Sequence, residues 1–117
     1  FLAVHVALEA ENLEAMLHST EALIGNSVMA CESVPAAVGL FVFAQGDPWE
    51  TIVGGANLGN DTDTIAAIGG SLAGALRGFQ AVPAAPYALF RSANLAEHDV
   101  EGIADGLAKI AARNCHA

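Results

Sequence analysis

"GGANLGNDTDTIAAIGGSLAGALRG", Gly54 to Gly78, sets the fold class. Its second half, Thr64 to Arg77, is a run of small and apolar residues without proline, with Gly78 where a helix would stop. A helix is predicted over 64–77. Gly70 and Gly74 lie four residues apart and so share a face, where close approach of another helix is expected. Ahead of it stand Asp61 and Asp63, two residues apart, interleaved with Thr62 and Thr64 and preceded by Gly59. Asn57–Asp63 reads as a loop feeding directly into the helix.

Working outward, Leu2, Val6, Leu13, Leu17 and Ile24 recur at spacings compatible with one helical face, with Glu9, Glu11, Glu14 and Glu21 between them. They predict one helix from near the start to about Leu23, ending at Gly25–Asn26. Ser33 is a candidate N-cap, with Pro35 in the first turn, for a buried helix to about Ala44. "VPAAVGLFVFA", Val34 to Ala44, has β-branched and aromatic residues that also suit a strand, but no strand alternation flanks it, so helix is preferred. Asp47-Pro48-Trp49-Glu50 combines a cap, a proline at the first helical position and a glutamate at the third. The helix it starts should turn Ile52 and Val53 inward and stop near Gly54–Gly55, with Trp49 as a packing anchor. Pro83 and Pro86 predict an irregular connection with one short turn around Tyr87–Phe90. Asn94 or Asp99 caps a last helix whose face carries Val100, Ile103, Leu107 and Ile110. The expected architecture is all-α, in one domain, without repeat or linker.

Composition removes several functions. The 117 residues are 54% hydrophobic and 15% charged, which suits a buried core and not a disordered tail. Thirteen acidic residues against four basic ones give a net charge of -9. Arg77, Arg91, Lys109 and Arg113 are scattered, so no basic patch exists to grip nucleic-acid phosphates or an anionic membrane surface. The longest uncharged apolar stretches, Val34–Ala44 and Thr64–Leu76, fall short of the ~20 residues that a spanning helix needs. Cys31 and Cys115 form no metal or redox motif and read as reduced thiols of a cytoplasmic protein. His5, His18, His98 and His116 share no metal-ligand spacing. The chain starts at Phe1 without a methionine, which suggests processing or a piece of something longer.

The Asn57–Thr64 segment admits two readings. In the first, Thr62 or Asp63 caps the following helix and Asp61 complements its dipole. In the second, two carboxylates and a hydroxyl offer oxygen ligands to a hard cation such as Mg²⁺, Mn²⁺ or Ca²⁺. An EF-hand is excluded, because counting from Asp61 puts Ala66 where glycine is needed and Leu72 where glutamate is needed. The glycines match neither phosphate-loop nor dinucleotide spacing.

The stretch from Gly54 to Gly78 resembles the C-terminal metal-binding signature of the ADP-ribosylglycohydrolase family, and "GNSVMACESVPAAVGLFVFAQGDPWETIV", Gly25 to Val53, resembles the segment before it. The family also includes the activator of dinitrogenase reductase. The resemblance implies an all-α orthogonal helical bundle holding a dinuclear Mg²⁺ or Mn²⁺ site, of which this chain is the C-terminal part. It implies Asp61, Asp63 and Thr64 as metal ligands and Asp61 and Asp63 as catalytic residues. Asn57, Gly59 and Asn60 are candidate substrate-binding residues. Many members carry a second glycine where this chain has Asn60. The family's other ligands lie in a Thr-Asp-Asp motif nearer its N-terminus, and this chain has none, so half a site is expected.

What the resemblance implies is metal-assisted hydrolysis of the glycosidic bond to ADP-ribose. The partners would be an ADP-ribosylated protein or a small molecule containing ADP-ribose, and the missing N-terminal segment of the same domain. The chain alone is expected to be inactive. The alternative is a non-catalytic structural or ligand-binding relative of the crystallin kind, which shares the fold.

Overall fold

A computed structural model describes residues 1–94 and 98–115. Among these, seven α-helices and one 3-10 turn occur and no strand does. The helices are α1 (Leu2–Glu9), α2 (Leu13–Leu23), α3 (Ala30–Phe43), α4 (Pro48–Asn57), α5 (Thr62–Arg77), α6 (Ala84–Asn94) and α7 (Val100–Asn114). The all-α expectation holds, including helix in place of strand at Val34–Ala44. No helix among the described residues is long and apolar enough to cross a membrane.

The chain divides into two compact units, Phe1–Val82 and Pro83–Ala117. The first is built on a core of Val6 and Ala7 from α1, Met16 from α2, Ala36, Ala37 and Leu40 from α3, Leu58, and Ile65 from α5. Leu13, Leu17, Ile24, Phe43 and Ile68 pack partly buried against it. Leu2 is half exposed and takes no part.

Several local expectations are corrected. The predicted N-terminal helix is two helices, because Asn12 adopts an extended conformation and its side chain accepts a hydrogen bond from the Ala15 N–H at 2.9 Å. That cap restarts the helix although the apolar spacing runs on across the break. Ser33 is not an N-cap. Helix α3 begins at Ala30, and the buried Ser33 hydroxyl donates back to the Met29 carbonyl. Asp47 caps α4 as expected, accepting from the Glu50 N–H at 2.8 Å. Trp49, however, is 40% exposed and takes no part in the core cluster.

Helix α4 also runs past Gly54–Gly55 to Asn57. Thr51, Gly54 and Gly55 are buried, whereas Ile52 and Val53 are only half-buried. Tertiary packing overrides propensity here, because α4 lies against α5 at a distance only small residues permit. A Cβ on Gly55 would sit 2.7 Å from the Ala66 Cα, a backbone atom that cannot step aside. On α5 the close approach falls at Gly70, where a Cβ would sit 2.9 Å from the Ile52 side chain, and at Gly69, where one would sit 2.7 Å from that of Thr51. Gly74 shares that predicted face, yet a Cβ on it would meet nothing within 4 Å. Gly74→Ala should therefore stabilise the chain by about 0.5–1 kcal/mol, the ordinary helix preference for alanine. A thermal melt with an unchanged or lowered midpoint would contradict the open environment at that position.

In the second unit the expected irregular connection is instead the helix α6, with Pro86 accommodated in its first turn, where the missing N–H has no helical partner. Asp99 caps α7, accepting from the Gly102 N–H at 2.9 Å, and Val100, Ile103, Leu107 and Ile110 share one face of that helix. The Tyr87 hydroxyl donates to Glu101, which also pairs with Arg91 at 3.4 Å. That bond to a carboxylate holds the Tyr87 phenol above its usual range.

Candidate functional site

The loop between α4 and α5 is shorter than the sequence suggests. Asn57 is the last residue of α4 and its side-chain amide donates to the Val53 carbonyl at 2.8 Å. Leu58 plugs into the core at 5% exposure and fixes where the loop leaves α4. Gly59 and Asn60 then follow with φ of 86° and 57°. Two successive left-handed residues turn the chain back on itself, and asparagine is among the few side chains that tolerate this region. Asn60 therefore holds a left-handed conformation that glycine would adopt without strain.

Asp61 stands at the N-cap of α5, but its side chain makes no capping hydrogen bond. Its carboxylate instead accepts from the Thr64 hydroxyl at 2.9 Å, and the residue is 9% exposed. Thr62, one of the two residues expected to cap, is the first helical residue, and Asp63 follows it in the first turn, exposed and without a side-chain hydrogen bond among the described residues. Asp61 and Thr64 are thus brought together, and Asp63 stands beside them at the positive end of the helix. Asn57 lies apart in bonding, spent on its own helix and lining a hollow with Leu13, Leu17 and His18. Among the described residues no group of three His, Cys, Asp or Glu side chains gathers to hold a metal. His5, His18 and His98 are exposed, Cys31 and Cys115 are free and exposed, and His116 lies outside the described residues.

Asn26 is a member of this neighbourhood that the sequence did not reveal. It follows α2, and its side-chain N–H donates to the Leu58 carbonyl at 3.0 Å while its carbonyl accepts from the Asp61 N–H at 3.1 Å. The turn that carries it is held by Glu32, whose carboxylate accepts from the Ser27 N–H at 3.0 Å. Hydrogen bonding from the Ser27 side chain and backbone holds the Glu32 carboxyl below the usual carboxylate range. A lowered carboxyl stabilises the turn above its unfolded-state value, about 4.3, and that contribution fades as the pH falls through the folded-state value. Amide exchange at Ser27, corrected for intrinsic rate, should stay level from about pH 7 to 5 and accelerate below about pH 4. Glu32→Gln should flatten that profile, and identical profiles in the two proteins would contradict the assignment.

The sequence profile of the ADP-ribosylglycohydrolase family matches residues 3–117. An uncharacterized protein of Escherichia coli (strain K12), YegU, is 35% identical over 108 residues, covering 92% of this chain and 32% of its own length. The ADP-ribosylhydrolase ARH3 of Bos taurus is 40% identical over 70 residues, and that of Homo sapiens 39%. Each of these alignments covers 51% of this chain and 19% of the relative. The chain thus spans about a third or less of the curated relatives it matches. No solved structure is significantly similar to it.

Proposed function

The chain belongs to the ADP-ribosylglycohydrolase family, and from that premise we propose that it supplies one side of a divalent-cation site in a hydrolase that releases ADP-ribose from a modified protein or small molecule. The observation that carries this reading is the Asp61 carboxylate. It occupies an N-cap position yet leaves the backbone N–H groups alone and is steadied by Thr64 instead.

The donor set fits a hard cation. Asp61 and Asp63 offer carboxylate oxygens and Thr64 a hydroxyl oxygen, the ligand types Mg²⁺ and Mn²⁺ prefer. Donating its proton to Asp61 leaves the Thr64 oxygen with lone pairs for a ligand role. Three such groups do not enclose a cation, so water and groups from the rest of a longer protein would complete its shell. When bound, Mg²⁺ or Mn²⁺ would fix the ribose hydroxyls and lower the pKa of attacking water.

The protein's own groups do the rest. The carboxylates of Asp61 and Asp63 place negative charge where a glycosidic bond breaking with oxocarbenium character develops positive charge. Gly59 has no side chain to obstruct a substrate, and Asn60, exposed at the tip of the turn, offers an amide for polar contact. The test is release of free ADP-ribose from mono-ADP-ribosylated arginine and serine peptides in Mg²⁺ or Mn²⁺. The full-length protein should turn over and purified residues 1–117 should not. Robust turnover by residues 1–117 would overturn the shared-site reading. Failure of the metal-loaded full-length protein on every ADP-ribosyl substrate would favour a non-hydrolytic relative.

A further inference from the structure

The Asp61 loop is tied down from outside. Its Leu58 carbonyl and Asp61 N–H both find their partners on Asn26, a residue 32 positions from Leu58 in the chain. The Asn26 amide nitrogen is also the nearest atom, at 3.6 Å, to where a Cβ on Gly59 would stand. One residue therefore spans the whole left-handed turn, satisfying a carbonyl before it and an N–H after it. Buried or half-buried backbone groups without partners are costly, so the turn holds this shape only while Asn26 holds it.

Asn26 is itself fixed from both sides. Before it, the Ile24 and Gly25 N–H groups both donate to the Thr20 carbonyl, and Gly25 adopts a φ of 94° that turns the chain out of α2. After it, the Ser27 N–H is taken by Glu32 from the first turn of α3. The chain of contacts runs from α3 through Glu32 and Ser27 to Asn26, and from Asn26 to the backbone of Asp61.

We infer that Asn26 is a positioning residue for the Asp61–Thr64 pair, holding the backbone that aims the Asp61 carboxylate, and that Glu32 acts through it. This rests on the proposed reading that Asp61 and Thr64 face a cation. The role requires a donor, because the side chain gives a hydrogen to the Leu58 carbonyl. Asn26→Asp keeps the shape and loses the donor, since a carboxylate only accepts. Outer groups that orient metal ligands cost 10–100-fold in metal affinity when removed, so a loss of about tenfold or more is expected.

The experiment measures Mn²⁺ affinity of the full-length protein by electron paramagnetic resonance, and amide exchange by mass spectrometry. Asn26→Asp should weaken Mn²⁺ binding by about tenfold or more and speed exchange across residues 58–65, with exchange in α3 unchanged. Equal Mn²⁺ affinity in parent and variant would overturn the inference alone. A parent that binds no Mn²⁺ would overturn the proposed function and the inference with it. Should the aspartate variant unfold, Glu32→Gln decides: weakened Mn²⁺ binding supports the relay through Ser27, and unchanged binding overturns it.

Discussion

Asp61→Ala in the full-length protein should lower metal-dependent ADP-ribose release by at least about a hundredfold. Substituting groups one step removed from a metal already costs 10–100-fold, and a direct ligand should exceed that range. Asp61 is nearly buried and receives the Thr64 hydroxyl, so alanine would remove the proposed ligand and also release the side chain beside it. Stability should change little by comparison. The side chain makes no capping bond, so the usual N-cap penalty of about 1 kcal/mol does not apply. Asp61→Asn separates the effects, because the amide oxygen still accepts from Thr64 while the charge is gone. Steady-state release rates and thermal melts of the two variants give the answer. A variant that keeps more than a tenth of the parent rate would remove Asp61 from the chemistry.

Gly55→Ala should markedly destabilise the first unit. On helix propensity alone alanine gains about 1 kcal/mol over glycine. That gain is outweighed, because the new Cβ would lie 2.7 Å from the Ala66 Cα and 2.8 Å from its N. Both are backbone atoms of α5, so relief requires separating two helices and not rotating a side chain. Overpacking of this kind costs typically about 1–3 kcal/mol net. In a domain of this size each kcal/mol moves the melting midpoint by roughly 4–8 °C. Because α4 and α5 flank the loop, the same substitution should also displace Asp61 and lower metal affinity. A melting midpoint at or above the parent's would show that the two helices are not held at this distance.

The contrast between Gly55 and Gly74 shows where sequence reasoning reaches its limit. Both are glycines in apolar helices, and a four-residue spacing pointed to Gly70 and Gly74 as the contact face. Only at Gly70 of that pair would a Cβ meet a neighbour, and between α4 and α5 the tightest approaches fall at Gly55 and Gly69. Periodicity identifies a face but not which part of it a second helix covers. Features whose partners are near in sequence were legible: Asp47 with Glu50, Asp99 before α7 and Gly78 after α5. The break at Asn12 was locally encoded as well, yet Leu2, Val6, Leu13 and Leu17 keep helical spacing across it and mask the cap. Asn57 shows the same limit at the site, since α4 continues through the buried Gly54 and Gly55 far enough to contain it. Asp61 and Thr64 could be read together because they stand three positions apart at one helix end. Asn26 was not legible, because its partners lie 32 or more positions away and nothing near it announces them.

A cation site with Asp61, Asp63 and Thr64 along one side should be visible directly. Crystals of the full-length protein grown with Mn²⁺, with diffraction recorded at the manganese absorption edge, test it most directly. An anomalous peak is expected at coordination distance, about 2.0–2.4 Å, from an Asp61 carboxylate oxygen, with Asp63 and Thr64 in the same shell and further ligands from outside residues 1–117. Manganese bound elsewhere, or none beside Asp61 with its carboxylate turned to the backbone N–H groups of α5, would contradict it and leave Asp61 as a helix cap.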